Sequence, residues 1–191
     1  MTDRRALDED MRVVTPPVPP VASTKGAIPT SLVDFSGAGS WNSGEAACRE
    51  YTRQACVIMG IADTAAWANG MATIAGRETA FNSPAWQVNN TDSNAIGAIQ
   101  SDGSRFQCSR GGWQCIPQTF AANHVAGTSY RIYDPVASVA AAMTYVMRNY
   151  NVARDGHNLA ANVQQADPNR SPRGYLLAQA FTWPDTHWWE N

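Results

Sequence analysis

The sequence predicts a mainly α-helical domain with a small polar β-region, and three observations lead to this prediction. Apolar residues recur at helical spacing, most clearly in residues 67–78 and 136–150. Helix-start signals precede such segments, as Asp134-Pro135 does. Between residues 79 and 116 the helical period disappears, and Asn, Asp, Ser, Gly and Gln dominate. That composition is typical of loops or short strands, so we expect helices around an irregular polar segment.

Composition limits the classes of function. The chain has 191 residues, of which 44% are apolar and 16% are charged, which suits one compact domain. A net charge of -2 supplies neither the basic surface of a nucleic-acid-binding protein nor a polybasic membrane patch. No apolar run approaches the length of a membrane span, and the first ten residues lack the apolar core of an ordinary secretory signal. We therefore expect no nucleic-acid partner and no membrane insertion.

The chain divides into three predicted regions. Residues 1–35 contain two Pro-Pro pairs and few large apolar residues, which indicates a flexible N-terminal arm. Residues 36–155 are predicted to form the folded domain. Residues 156–191 are predicted to be a C-terminal extension that packs on the domain or flanks it.

Within the domain, the helices are predicted from their caps and their apolar spacing. A first helix is expected near 44–60, and Asp63 is the predicted N-cap of a second helix that ends at Glu78. Pro117 is predicted to begin a short helix through Asn123, and Asp134 with Pro135 a longer one. The apolar stripe of this last helix is interpreted as core rather than site. Its members are Val136, Val139, Ala140, Met143, Val146, Met147 and Tyr150.

Glu78 is the candidate catalytic residue. It follows Trp67, Met71 and Ile74 at helical spacing, so it lies on the apolar face of its helix. Burial on that face raises the pKa of a carboxyl, because desolvation penalises the charged form. A raised pKa is what a general acid needs near neutral pH. The alternative is a glutamate at a frayed helix end that reaches water or pairs with Arg77.

The four cysteines leave alternatives open. Cys108 and Cys115 enclose a short glycine-bearing loop and are candidates for a disulfide. Cys48 and Cys56 would stand about 12 Å apart on a helix and could not bridge each other. They are either buried thiols, or the first helix begins after Cys48.

No metal or cofactor is predicted. A zinc site formed by Cys108, Cys115 and His124 fits no usual spacing. The three histidines, His124, His157 and His187, are interpreted as surface or tail residues.

An ordered series of motifs carries a resemblance to a known family. Arg77-Glu78-Thr79 is followed by a polar stretch, by the run from Ser109 to Phe120 (SRGGWQCIPQTF), and by Tyr133-Asp134-Pro135. The series, over about residues 63–152, resembles the soluble lytic transglycosylases and the related goose-type lysozymes. It is most similar to the lysozyme-like domains in tape-measure proteins and lysins of phages that infect actinobacteria. The resemblance implies a two-lobed α+β lysozyme-like fold with a cleft.

The resemblance also implies roles for individual residues. Glu78 corresponds to the single catalytic acid that cleaves the β-1,4 bond between N-acetylmuramic acid and N-acetylglucosamine. Gln114 corresponds to a glutamine that lines the sugar site, and Ser109 to a serine that contacts the acetamido group. Tyr145 corresponds to a tyrosine whose hydroxyl points toward the acid, or else it packs in the core. Trp113 stands where the family has Met, and it either stacks on a sugar or packs.

Other residues of the polar segment suggest a rival mechanism. Goose-type lysozymes place two aspartates after the acid at spacings similar to those of Asp92 and Asp102, and use them to position water. We interpret Asp102 as a turn residue and leave Asp92 open as a substrate-site or water-positioning carboxylate. Asn94 is a further substrate-binding candidate. The chain departs from the family in having Thr79 instead of Ser and in lacking a clear Ala-Tyr-Asn-x-Gly motif.

The expected function is therefore that of a peptidoglycan lytic transglycosylase in phage lysis or phage entry. An inverting muramidase that uses an additional aspartate is one alternative, and a non-catalytic tail structural or glycan-binding protein is another. The expected partners are a peptidoglycan glycan strand and other phage tail or lysin modules. Such a protein is made in the host cytoplasm and reaches the cell wall by holin release or in the virion.

Overall fold

A computed structural model describes residues 26–93 and 95–173, and they form a mainly helical structure. The predictions for Asn94, His187, residues 1–25 and residues 174–191 lie outside these described residues. The α-helices are α1 (Glu45–Met59), α2 (Ala65–Thr79), α3 (Pro117–Asn123), α4 (Pro135–Asn149) and α5 (Leu159–Asn162). Short 3-10 turns occur at Thr30–Leu32, Pro84–Trp86 and Gln164–Ala166.

The start of α2 differs from the prediction by one residue. The N-cap is Thr64 rather than Asp63, because the Thr64 hydroxyl oxygen accepts a hydrogen bond from the Trp67 backbone N–H at 3.2 Å. The same hydroxyl donates to the Asp155 carbonyl at 2.7 Å. Thr64 thus caps α2 and also ties it to the chain that follows α4.

The predicted starts of α3 and α4 are confirmed. Pro117 is the first residue of α3, and Asp134 caps α4 by accepting hydrogen bonds from the N–H groups of Val136 and Ala137 at 2.9 and 3.3 Å. The predicted stripe of α4 belongs to the core. Val139, Ala140, Met143 and Val146 are fully buried, while Val136, Met147 and Tyr150 are partly buried against them.

The core lies where α1 packs on α2 and α4, and where α4 also packs on α3. The predicted apolar face of α2 is buried, with Trp67, Met71, Ile74 and Ala75 inaccessible to solvent. Cys48 and Cys56 both lie within α1 as buried free thiols, which decides between the two alternatives for them. Burial raises their pKa values to about 12 and about 11.

The polar segment after α2 is largely irregular. Within the part of the chain that is described, its β-structure consists of isolated bridges rather than strands: Val88 with Arg110, Ile99 with Arg105, and Arg110 with Cys115. The predicted small β-region is thus reduced to single pairings, and side chains hold the segment in place instead.

Both predicted flanking regions contribute to the packed structure. Residues 26–35 are not part of a flexible arm, because Val33 and Phe35 are buried in the core and the Asp34 backbone exchanges hydrogen bonds with Tyr130 and Ile132. At the other end, α5 and the last 3-10 turn pack on α2. Gly70 makes this contact possible, since any side chain there would collide with Leu159. None of the helices in the described ranges is long and apolar enough to cross a membrane.

Candidate active site

Glu78 lies half-buried in the last turn of α2. Its Oε1 accepts a hydrogen bond from the side-chain amide of Gln165 at 2.7 Å. Burial raises the pKa of Glu78, and the Gln165 hydrogen bond opposes this in part because it favours the charged form. The carboxyl group therefore has the raised proton affinity that its position on the apolar face of α2 predicts.

Arg77 interacts with the C-terminal segment, here residues 164–173, and this argues against the alternative that Arg77 pairs with Glu78. Its guanidinium donates to the carbonyl oxygens of Gln164, Gln165 and Arg170 at 3.2, 3.1 and 2.8 Å. The two neighbours on α2 thus contact the same segment through their side chains: Arg77 binds backbone carbonyls of the segment, and Glu78 binds the Gln165 side chain.

The turn after Glu78 has an unusual backbone. Ala80, Phe81 and Asn82 have φ angles of 49°, 62° and 60°, in the left-handed region that is unfavourable for residues other than glycine. Such residues cost of order 1–3 kcal/mol each and persist only where their surroundings hold them. The Phe81 N–H donates to Ala75 O, and the Phe81 ring lies against Gly76, where a Cβ atom would approach it to 2.7 Å.

Thr79 connects this turn to the loop of residues 109–115. Its buried hydroxyl lies 2.9 Å from the Gly112 carbonyl and accepts a hydrogen bond from the Asn82 N–H at 2.9 Å. A Cβ atom on Gly112 would lie 3.2 Å from the Asn82 side chain, so glycine permits the close approach. The end of α2 and the loop are therefore held as one unit.

Ser109 and Gln114 form the interior of that loop. The Ser109 hydroxyl donates to Gln114 Oε1 at 2.8 Å, and Gln114 Nε2 lies 3.0 Å from Gly111 O and 3.1 Å from Trp86 O. Both side chains are buried. These hydrogen bonds tie the two side chains to the loop of residues 109–115 and to Trp86, so both residues help to shape that loop.

The two tryptophans of this region are arranged differently from the prediction. Trp113, a candidate for stacking on a sugar, is fully buried and donates from Nε1 to the Met71 carbonyl at 2.9 Å. It is a packing residue, since an inaccessible ring offers no face to a ligand. Trp86, which the sequence did not single out, is 65% exposed, and its backbone carbonyl is held by Gln114.

Tyr145 lies on the buried face of α4. Its side chain is buried, with the ring 6.0 Å from that of Tyr150. Burial raises its pKa to about 12, and the neighbouring Tyr150 and Cys115 add to the effect. The Tyr145 hydroxyl is therefore protonated at any pH near neutral.

Asp102 is a turn residue, as the sequence predicted, but it also takes part in a buried ion pair that the sequence did not indicate. It does accept a hydrogen bond from the Ser104 N–H at 3.0 Å, as a turn aspartate would. However, it also forms a 2.6 Å ion pair with Arg110 Nε and accepts a 2.7 Å hydrogen bond from the Tyr133 hydroxyl. Desolvation opposes its charge, but these contacts outweigh it and lower its pKa. The carboxylate and the fully buried guanidinium hold the loop together, and the guanidinium lies 4.6 Å from the centre of the Phe35 ring.

Asp92, the other candidate carboxylate, is half-buried in a local turn. Its backbone N–H donates to Asn89 Oδ1 at 3.2 Å, and its carbonyl accepts from the Ala95 N–H at 2.9 Å. Its own Oδ1 accepts a hydrogen bond from the Ser93 hydroxyl at 3.2 Å. These contacts are those of a turn closed by its own backbone and by neighbouring side chains.

The predicted disulfide is absent, because all four cysteines are free. The two thiols of the loop have different environments. Cys108 Sγ lies 3.5 Å from Asn90 Oδ1, whereas Cys115 Sγ is buried 4.0 Å from the Ser138 carbonyl on α4. The loop is instead clamped by the Asp102–Arg110 ion pair and by the Ser109–Gln114 hydrogen bond.

The histidines divide in a way that the sequence did not predict. His124 is buried rather than on the surface, with Nδ1 3.0 Å from Gly26 O and Nε2 3.2 Å from Ser129 O. His157 is exposed and pairs with Asp155. Among the residues that the structure describes, no group of three His, Cys, Asp or Glu side chains could hold a metal ion.

The arrangement suits proton transfer by a single carboxyl group. Glu78 combines raised proton affinity with a neutral hydrogen-bond partner, and it lies at the border of an irregular polar loop. The sequence missed two residues of this region, Gln165 and Trp86. Gln165 lies 87 positions after Glu78 and carries no local signal.

No protein-family model matches the chain, and no curated protein or solved structure matches it either.

Proposed function

We propose that this chain is a peptidoglycan-cleaving lytic transglycosylase with a lysozyme-like, two-lobed fold. The observation that carries the proposal is the environment of Glu78: a half-buried carboxyl at the end of α2, with a raised pKa and a neutral amide as its partner. A group of this kind keeps its proton to higher pH than an exposed glutamate does, and it can release that proton to a leaving oxygen. The motif series around Glu78 supports the choice of a glycan as substrate.

In the proposed reaction Glu78 acts twice. As an acid it donates its proton to the glycosidic oxygen, and the bond between that oxygen and the anomeric carbon breaks as positive charge develops on the sugar. The acetamido oxygen of the muramic acid attacks the anomeric carbon. The Glu78 carboxylate then takes the proton of the 6-hydroxyl, whose oxygen displaces the acetamido oxygen and closes a 1,6-anhydro ring. Glu78 ends protonated, and no water is consumed.

The environment of Asp102 favours this route over hydrolysis. A water-activating base needs a carboxylate that can accept a proton, whereas the pKa of Asp102 is lowered and its oxygens are occupied by Arg110 and Tyr133. Asp92 is the carboxylate on which an inverting muramidase mechanism would depend. The products distinguish the two reactions, since hydrolysis leaves reducing muramic acid ends.

The biological setting that we propose is phage lysis or phage entry, with the glycan strand of a bacterial cell wall as partner. The exposed Trp86 ring is the proposed surface for contact with a sugar face, since aromatic rings combine a flat apolar face with low side-chain entropy. Gln114 supports it by fixing the Trp86 backbone.

The central test is Glu78→Gln assayed on purified actinobacterial peptidoglycan. We expect at least a roughly 100-fold loss of solubilisation, because the amide cannot donate a proton, while thermal unfolding stays close to wild type. Glu50→Gln is the matched control, since Glu50 is an exposed glutamate of α1 paired with Arg53. Mass spectrometry of wild-type products should show 1,6-anhydromuramic ends. Equal activity of wild type and Glu78→Gln would overturn the catalytic assignment.

A second test concerns the sugar contact. In the Glu78→Gln background, Trp86→Ala should weaken co-sedimentation with insoluble peptidoglycan several-fold without changing stability, because the ring is exposed. Val57→Ala removes a comparably exposed apolar side chain from α1 and should leave binding unchanged. Unaltered binding by Trp86→Ala would remove this residue from the proposed site.

A further inference from the structure

Gln165 has a fixed orientation beside Glu78. Its side chain is 6% exposed, and its Oε1 accepts a hydrogen bond from the Arg173 backbone N–H at 3.0 Å. A backbone N–H can only donate, so the oxygen end of the amide must face Arg173. The NH₂ end therefore faces Glu78, 2.7 Å from Oε1.

Arg77 fixes the backbone that carries Gln165. Its guanidinium donates to the carbonyl oxygens of Gln165 itself, of the preceding Gln164 and of Arg170 further along the chain. Several donors in a planar fork hold a backbone segment more rigidly than a single bond would. Because Arg77 precedes Glu78 on α2, one helical turn carries both the carboxyl group and the anchor of its partner.

We propose that Gln165 is a positioning residue for Glu78, which fixes the carboxyl group through Oε1 and leaves Oε2 as the atom that carries and donates the proton. The chemistry follows from the donor: an oxygen that accepts the Gln165 N–H at this distance has no room for a hydrogen of its own on that side. This role rests on the proposed function of Glu78 as a general acid.

A neutral amide suits this role better than a cation. A lysine or arginine at position 165 would hold Glu78 in its charged form, which cannot act as an acid. The titratable or charged groups on the elements packed here include Arg77, Arg170, Arg173, Asp167, Cys115 and Tyr145, and also Arg110 in the loop and Cys48 with the Glu45–Arg49 ion pair on α1. The Arg77 guanidinium is taken up by carbonyls, and Arg170 pairs with Asp167. The Cys115 thiol and the Tyr145 hydroxyl, both with pKa values of about 12, stay neutral.

The test is a titration of the Glu78 carboxyl carbon by NMR in protein labelled with ¹³C at glutamate, with the signal assigned by its loss in Glu78→Gln. Gln165→Met keeps the side-chain length and removes the donor, so we expect the midpoint of Glu78 to move to higher pH. Gln164→Met is the matched control. Gln164 is the neighbour in the same turn, and its side chain donates to Ser171 O instead. Arg77→Lys keeps the charge but loses the fork, and it should shift the midpoint in the same direction by less.

Activity gives an independent readout. Gln165→Met should lower the maximal rate roughly 10- to 100-fold, because the acid is misplaced. The pH at which the rate falls on the alkaline side should shift to higher pH, in step with the NMR midpoint. An unchanged midpoint in both folded Gln165→Met and folded Arg77→Lys would overturn the proposal. A shifted midpoint in a protein that cleaves no peptidoglycan would overturn the proposed function and would still support the coupling between Gln165 and Glu78.

Discussion

Glu78 and Asp102 are two carboxyl groups 24 residues apart, and their surroundings drive their proton affinities in opposite directions. Glu78 lies at the end of a helix with one neutral donor, and burial raises its pKa. The side chain of Asp102 is 5% exposed yet its pKa is lowered, because Arg110, Tyr133 and the Ser104 N–H compensate for its loss of water. Burial alone therefore does not determine the state of a carboxyl group. The number and charge of its donors do.

The difference separates a group that can exchange a proton from one that stabilises the loop. The largest effect is expected on stability when Asp102 is changed to Asn. Removal of the negative charge leaves the Arg110 guanidinium buried without a counter-ion, which typically costs about 3–5 kcal/mol. Glu78→Gln should cause no comparable loss of unfolding free energy, since its partner is a neutral amide and no buried charge is left unpaired. Urea unfolding of both variants measures the contrast, and equal losses would contradict it.

A smaller effect is expected in the dependence of stability on pH. The folded-state pKa of Asp102 lies below its unfolded value of about 3.9, so its contribution is present above that pH and is lost as pH falls through the folded pKa. The folded-state pKa of Glu78 lies above its unfolded value of about 4.3, so stability declines as pH rises from about 4.3 to the folded pKa. Asp102→Asn should therefore reduce the loss of stability at acid pH, and Glu78→Gln should remove the decline in stability above pH ~4.3.

Urea midpoints measured between about pH 2.5 and about pH 7 test these two opposite dependences of stability on pH. Difference curves between each variant and wild type isolate the two groups from the other carboxylates. A Glu78→Gln curve that runs parallel to wild type above pH ~4.3 would show that Glu78 ionises in the folded state as freely as in the unfolded chain.

The helices could be predicted from the sequence because their signals are local. Asp134 caps α4 through N–H groups two and three residues ahead, and Pro117 begins α3 where its missing N–H costs nothing. The burial of one face of α2 follows from periodicity alone, and so does the half-buried position of Glu78.

The polar segment could not be predicted in the same way, because contacts between distant residues determine it. Asp102 meets Tyr133, 31 positions later, and Glu78 meets Gln165, 87 positions later. Irregular backbone has no period, so the sequence does not indicate whether Trp86 or Trp113 faces outward. The loop enclosed by Cys108 and Cys115 suggested a disulfide, yet the ion pair between Arg110 and Asp102 stabilises the loop instead.

The left-handed turn at residues 80–82 has a consequence for how damage would spread through the protein. Its backbone would relax toward more common angles if the Thr79 hydroxyl or the space at Gly76 were lost. Since Thr79 also contacts Gly112, such relaxation would displace the end of α2 and the loop of residues 109–115 together. A substitution at this one bend is therefore expected to disturb the turn that carries Glu78 and the loop of residues 109–115 together, even though it removes none of their chemical groups.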